Sequence, residues 1–192
     1  FSSYEFFGIS TIFLDIDQNG KIWFTDTPNS KIGNFDPNTE EFEIIEIPSL
    51  TLKSPYSIPI SLKVDSDNNI WIAVVDRDML LTYNQDSKEF EEFLQLPTEN
   101  AGPSALLLDD NGDMWFAESL SGKIGIVDSK TFEITEFVPD IPLDEPFALL
   151  LDKSGSLWIS EHTGPGIAKF DPILETFERI KAPNPEALPF GM

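Results

Sequence analysis

The sequence has no cysteine, a single histidine, and 12 basic residues against 34 acidic ones. The first absence excludes disulfides and thiolate metal or redox sites, and leaves the compartment unreadable from cysteine usage. The second makes His162 the one side chain whose ordinary pKa lies near neutrality. The third, a net charge of −22, excludes nucleic-acid binding by phosphate neutralisation and disfavours an anionic membrane surface. No apolar run in this segment is long enough to span a membrane, and no basic-then-apolar leader opens it. There is also no Ser-His-Asp order, phosphate loop or Cys/His zinc pattern. The acids are spread along the chain, not gathered in a tail, and read as a solvated coat. Such a coat is expected of a secreted or cell-surface protein, hence extracytoplasmic, or of a salt-adapted one. The first residue is Phe1, so a processed or excerpted chain is expected.

What is present is a unit that occurs four times. Leu108–Asp128 reads LDDNGDMWFAESLSGKIGIVD, and Leu14–Asp36, Leu62–Asn84 and Leu149–Asp171 follow the same plan. Trp23, Trp71, Trp115 and Trp158 set the register. Six residues before each stands Asp17, Asp65, Asp109 or Asp152, and three before stands Gly20, Asn68, Gly112 or Gly155. A period in the forties means a solenoid, a propeller or an array.

Each unit contains four strand signals. Strand A is short and apolar (Phe13–Ile16, Ile60–Val64, Ala105–Leu108, Ala148–Leu151), too short for a helix. A tight turn follows, with Gly or Asn supplying positive φ. Strand B carries the tryptophan (Ile22–Thr25, Ile70–Ala73, Met114–Ala117, Leu157–Ser160), and strand C follows a longer loop (Lys31–Phe35, Leu80–Tyr83, Lys123–Val127, Gly166–Phe170). Strand D alternates apolar and charged residues (Phe42–Ile47, Phe90–Leu96, Phe132–Val138, Phe177–Lys181) and ends at Pro48, Pro97, Pro139 or Pro183. On this outermost strand Glu91, Glu92 and Glu136 are expected to face out and blunt the edge.

Small antiparallel sheets repeated radially are propeller blades. The expected fold is therefore an all-β β-propeller of four-stranded antiparallel blades, four in this segment, at about 9–48, 56–97, 103–139 and 146–183 of one domain spanning 1–192. No helix is expected. Residues 1–8 read as a strand of a preceding or closing blade, and 188–192, which parallel Glu145–Leu149, as the start of a next one. Propellers have four to eight blades. A closed four-bladed ring is one solution; the overhang favours part of a larger, six- or seven-bladed ring.

The pattern D-x-x-G-x-(I/M/L)-W-(F/I)-x-(D/E), then K-I-G-x-(F/V)-D, then a phenylalanine-led strand ending in proline, resembles the streptogramin lyase (virginiamycin B lyase-like) propellers. NHL and gluconolactonase-like propellers are more distant relatives. The resemblance covers residues 9–192. It implies a seven-bladed ring, three blades of it outside this segment. It also implies a metal-assisted His and Glu constellation on the top face near the central channel. The family's lyases place that histidine two residues after a glutamate, whereas His162 directly follows Glu161. Along a strand, adjacent residues point to opposite faces.

In this topology the B–C loops and the D–A crossovers emerge on one face and converge on a mouth. The B–C loops bring Asp26, Asp76, Glu118, Glu161 and His162, and the crossovers bring Tyr56, Ser104 and Phe147. As a catalytic set, His162 and Glu161 would act as base and partner. Asp26, Tyr56, Asp76, Glu118 and Phe147 would line the ligand mouth. Glu118 and Glu161 would hold a divalent cation such as Mg or Ca through oxygen. The competing reading makes His162 an ordinary loop residue. Asp15–Asp26 mimics a calcium loop in its acid spacing, but no helices flank it and the other units lack the set, so an Asp-stabilised turn is expected. The tryptophans read as blade-packing residues, not a ligand platform. A fold does not give a function. Two functions are carried forward: a non-catalytic binding or assembly module, and a metal-dependent lyase or lactonase-like hydrolase acting on a cyclic ester. The expected partners are a small-molecule or protein ligand at the mouth, and further blades or another subunit.

Overall fold

A computed structural model describes residues 11–50, 56–184 and 186–189. These residues form four antiparallel sheets of four strands, each sheet in simple chain order. Blade 1 holds β1 (Leu14–Ile16), β2 (Ile22–Asp26), β3 (Lys31–Asp36) and β4 (Glu41–Glu46). Blade 2 holds β5 (Pro59–Val64), β6 (Asn69–Val74), β7 (Met79–Asn84) and β8 (Glu89–Gln95). Blade 3 holds β9 (Pro103–Leu108), β10 (Met114–Glu118), β11 (Lys123–Val127) and β12 (Ile134–Phe137). Blade 4 holds β13 (Pro146–Leu151), β14 (Leu157–Glu161), β15 (Gly166–Asp171) and β16 (Thr176–Lys181). The expected strand at 1–8 and the end of the overhang at 190–192 lie outside the described residues. One 3-10 turn, Thr27–Asn29, interrupts the otherwise helix-free description, in the B–C loop of blade 1.

The repeat signature is a hydrogen-bonded clasp. In the A–B turn of blade 1, Asp17 Oδ1 accepts from the backbone N–H groups of Asn19 and Lys21, while Oδ2 accepts from Trp23 Nε1 at 3.1 Å. Asp65, Asp109 and Asp152 take Trp71, Trp115 and Trp158 in the same way, at 3.0, 3.3 and 2.8 Å. The spacing of six thus has a direct cause: one carboxylate closes the turn with one oxygen and fixes the indole with the other. The residue three before each tryptophan sits at positive φ, including Asn68 at 65°. Asp17 is committed to its own turn, which is the turn reading of Asp15–Asp26.

Each fixed indole packs on the next blade. Trp23 joins a core with Leu62, Ile70, Ile72 and Leu81 of blade 2, and meets the Tyr83 ring at 6.0 Å. Trp71 packs with Met114, Phe116 and Val127 of blade 3, and Trp115 with Leu157, Ile159 and Phe170 of blade 4. The core is therefore a series of sandwiches between sheets. Alternation in β6 shows both sides at once: Ile70, Ile72 and Val74 face blade 1, while Trp71 and Ala73 face blade 3. The outer sides of the end blades lack such a neighbour among the described residues. Leu14 and Ile16 of blade 1 are 62% and 63% exposed, and Leu150 of blade 4 is 50% exposed.

Two strand expectations are corrected. Phe132 does not open strand D of blade 3. The fifth residue of every C–D turn (Glu40, Lys88, Phe132, Glu175) has positive φ, so this strand begins later, at Ile134. Phe132 N–H closes that turn on Asp128 O at 2.9 Å, which frees its ring to lie 6.1 Å from Trp71 across the blade 2–blade 3 joint. Glu136 is no outward edge charge. It is half-buried and accepts from Thr98 N, Thr98 Oγ1 and Lys123 Nζ.

Candidate functional site

The B–C loops and the crossovers meet at one end of the blades. Ile58 N donates to Asp76 Oδ1 at 2.6 Å, Ser119 N to Gly102 O at 2.9 Å, and His162 N to Glu145 O at 3.0 Å. At this end the third residue after each tryptophan closes strand B: Asp26, Val74, Glu118 and Glu161. All four are buried. Blade 2 shows that the position accepts an aliphatic side chain, so packing does not require the three carboxyls.

Each carboxyl serves its own blade. Asp26 accepts from Asn29 Nδ2 at 2.9 and 3.0 Å. Glu161, 2% exposed, accepts from Asp144 N at 2.9 Å and from Arg179, whose Nε lies 3.1 Å from Oε2 and whose Nη2 pairs with Oε1. Arg179 also pairs with Asp144, so one guanidinium ties the crossover into blade 4 to β14 and β16. Glu118 is fully buried and differs. Its Oε2 accepts from Ser121 Oγ at 2.5 Å, while Oε1 has no partner. Lys123, directly opposite on β11, is engaged with Glu136 at 3.1 Å and with Thr98 Oγ1 at 2.5 Å. Burial pushes the Glu118 carboxyl up to about 7; the Ser121 hydroxyl pulls it down and the neighbouring Glu136 pushes it further up. Burial also raises Glu136, but the Thr98 hydroxyl and Lys123 outweigh it, so its carboxyl lies below the ordinary value.

The other candidates fall into two groups. Asp76 pairs with Arg77 at 3.2 Å, and Arg77 Nη2 reaches the Tyr56 carbonyl, which gathers Tyr56, Asp76 and Arg77 at the entry to blade 2. The Tyr56 ring is exposed and borders a 360 Å³ recess with Asn29, Ser30 and Lys31. In the second group the Phe147 and His162 rings lie 5.8 Å apart, and Phe13 of blade 1 stands 5.7 Å from Phe147. Ser104 Oγ donates to Pro146 O at 2.8 Å, stapling β9 to β13. Tyr56 is thus brought to Asp76, and Phe147 to His162. Glu118 and Glu161 serve separate blades, and the Glu161 carboxylate and the His162 ring engage different neighbours.

Among the described residues, no group of three or more His, Asp or Glu side chains is placed to hold a metal ion. A hard divalent cation takes six or more oxygens. Glu118 has one oxygen engaged, and the charge of Glu161 is balanced by Arg179. The described residues alone do not fit Mg or Ca.

The partners that matter most here, Arg179, Lys123 and Thr98, escape a motif-based reading. Alternation along β16 was the available signal: Arg179 falls on the side of Phe177, the buried side, and Phe177 lies 4.6 Å from Phe170.

The virginiamycin B lyase family model matches residues 7–192. No curated protein matches. Among solved structures, a streptogramin B lyase is 23% identical with a TM-score of 0.83, covering 94% of this chain and 57% of its own. A catalytically inactive histidine-to-alanine virginiamycin B lyase from Staphylococcus aureus, with quinupristin, is 20% identical with a TM-score of 0.79, covering 93% of this chain and 57% of its own. Hydrazine synthase from Kuenenia stuttgartiensis is 11% identical with a TM-score of 0.74, covering 94% of this chain and 52% of its own. Identities this low speak for the fold alone, and this chain spans 57% of the length of the lyase structures. With blades built on the Asp–Trp clasp and a family match running through all four of them, the chain belongs to the virginiamycin B lyase family.

Proposed function

We propose that this propeller of the streptogramin lyase type is a non-catalytic, extracytoplasmic binding module that presents its mouth loops to a small-molecule or protein ligand. One observation carries the reading. The Glu161 carboxylate is neutralised by Arg179 and holds the crossover at Asp144, while the neighbouring His162 ring lies beside Phe147. A general base needs its proton donor within hydrogen-bond reach, and this glutamate is instead a buried strut. The acidic surface, net −22, supports a soluble, exposed setting.

The test is incubation with quinupristin, the ligand of the Staphylococcus aureus lyase structure, with magnesium or calcium present. Elimination opens an ester ring without changing the mass, and hydrolysis adds a water, so chromatography with mass detection separates the two chemistries. The expected result is intact quinupristin. Ring opening abolished by His162→Ala would overturn the reading.

A second reading, a metal-dependent lyase, is favoured by Glu118. A buried carboxyl poised near neutrality is what general acid–base chemistry asks for. Under that reading Glu118→Gln abolishes ring opening while the fold persists.

A further inference from the structure

At the end of the blades opposite the mouth, where the A–B and C–D turns lie, adjacent sheets meet through polar groups. In the joint between blades 1 and 2 these groups satisfy one another. Glu43, on β4, accepts from Asn34 Nδ2 at 3.2 Å and from Lys88 Nζ at 3.0 Å. Lys88 is the left-handed residue in the C–D turn of blade 2, so the ammonium of one blade seats on the carboxylate of the blade before it. The joint between blades 2 and 3 has the carboxylates without the cation. Thr82 holds the place of Asn34, each opposite its tryptophan on strand B. Phe132 holds the place of Lys88. The pairing of β7 with β8 shifts by one residue, Leu81 facing Phe93 and Tyr83 facing Phe90, so Thr82 stands opposite both Glu91 and Glu92. This bulge, absent from β3 and β4, turns two consecutive glutamates to one side of the sheet. Both line a 280 Å³ recess walled by Trp71 and Phe132, with Asp67 from the A–B turn of blade 2. Glu91 accepts from Ser87 Oγ at 3.1 Å and from Asn84 Nδ2 at 3.4 Å. Lys130 also borders the recess, yet it forms no ion pair with Glu91, Glu92 or Asp67.

We propose that this recess binds a small primary alkylammonium ion, its head on Glu91 and Glu92 and its stem against the Trp71 and Phe132 walls. The chain supplies the precedent: at the equivalent joint it seats the ammonium of Lys88 on Glu43. The ligand replaces the cation that is missing where phenylalanine stands in the turn. An ammonium donates three hydrogen bonds and is drawn to aromatic rings, so paired carboxylates beside such rings suit it. A divalent metal is a poorer match. Among the described residues, no group of three or more acidic or histidine side chains is placed to hold one. Both sheets of this joint lie within the described residues, and the site is independent of what the mouth binds.

Nuclear magnetic resonance titration of the protein with n-butylammonium chloride, at constant ionic strength, tests it. This ion reproduces the head and stem of a lysine side chain. The expected result is saturable shifts confined to amides around the recess, those of Asp67, Glu92, Lys130 and Phe132. Glu91→Gln and Glu92→Gln are each expected to weaken binding about tenfold, the loss of one charge-assisted hydrogen bond. Lys130→Met, which removes the neighbouring cation, is expected to tighten it. Unchanged amide dispersion shows that each variant is folded. Shifts that spread over the acidic surface without saturating would mean only counter-ions gathering on a chain of −22, and overturn the proposal. So would equal shifts from tetramethylammonium, which has no N–H to donate, or from calcium. An affinity left unchanged when both glutamates are replaced by glutamine overturns it as well. An end-blocked lysine peptide that binds more tightly than the free amine would make the occupant a partner's side chain, not a small ion.

Discussion

At the scale of residues, the carboxylates divide by what they hold. The clasp aspartates each accept two backbone N–H groups and an indole. Asp65→Ala leaves four donors without their acceptor, the Asn69 side-chain amide included, and is expected to cost about 1–3 kcal/mol. The urea midpoint measures it. Arg179 neutralises a buried glutamate, so Arg179→Met is expected to cost about 3–5 kcal/mol. Lys31→Met, which removes the pair with the exposed Glu46, is expected to cost below about 1 kcal/mol. Glu118 sets a pH dependence. Its folded-state value, about 7, exceeds the ordinary carboxyl value, so the native state binds the proton more tightly than the unfolded chain. Its contribution to stability is then greatest below the ordinary value and declines as pH rises towards about 7. Glu118→Gln is expected to flatten that decline and raise the melting temperature above neutrality. An unchanged slope in both proteins would contradict the assignment. Glu118 and Glu161 were legible in the sequence as acids opening the B–C loops, and the structure makes them the last residues of strand B. The partners that separate a neutralised Glu161 from a proton-holding Glu118 were not, because Arg179 and Lys123 sit on other strands.

At the scale of strands and sheets, the K-I-G signature has a packing cause. Strand B and strand C place directly opposite one another Phe24 and Gly33, Ile72 and Leu81, Phe116 and Gly125, and Ile159 and Ala168. A large ring faces no side chain, and a smaller isoleucine faces leucine or alanine. A Cβ added to Gly125 would stand 2.2 Å from the Phe116 ring. Gly125→Ala is expected to destabilise by about 1–3 kcal/mol, and Phe116→Ile in the same molecule to return part of that loss, as blade 4 already arranges it. A double-mutant cycle in urea reads the coupling. Additivity would mean the ring moves aside freely. The strand count and order could be read from spacing alone, since turns recur after each run. The start of β12 could not: a phenylalanine looked like the head of a strand, and only the left-handed residue in the C–D turn put it in the joint.

At the scale of the molecule, cohesion comes from joints between sheets. Trp115 is buried between blades 3 and 4, and its replacement by alanine is expected to cost about 3–5 kcal/mol. Among the described residues Trp158 is packed on one side only, so Trp158→Ala in this segment is expected to cost clearly less. Equal losses of unfolding free energy would mean that the fourth blade's outer face is covered. The same logic ranks the blades of this segment: the outer two, each with one face that no described residue covers, are expected to exchange their amide hydrogens before the inner two.

The sequence alone determined the repeat, the sixteen strands, the turn chemistry and the family resemblance. All of these follow from interactions within about a dozen residues, such as an aspartate reaching an indole six places on. The tertiary structure alone decided which carboxyls are neutralised, which ring fills which joint, and which mouth residues meet. Those outcomes depend on crossovers and neighbouring sheets. Arg179 reaches back 35 residues to Asp144, and Phe132 crosses from its own turn to Trp71 of the preceding blade. A local pattern records the spacing that makes a blade, but the charge and shape a side chain meets are set by whichever sheet the fold lays against it.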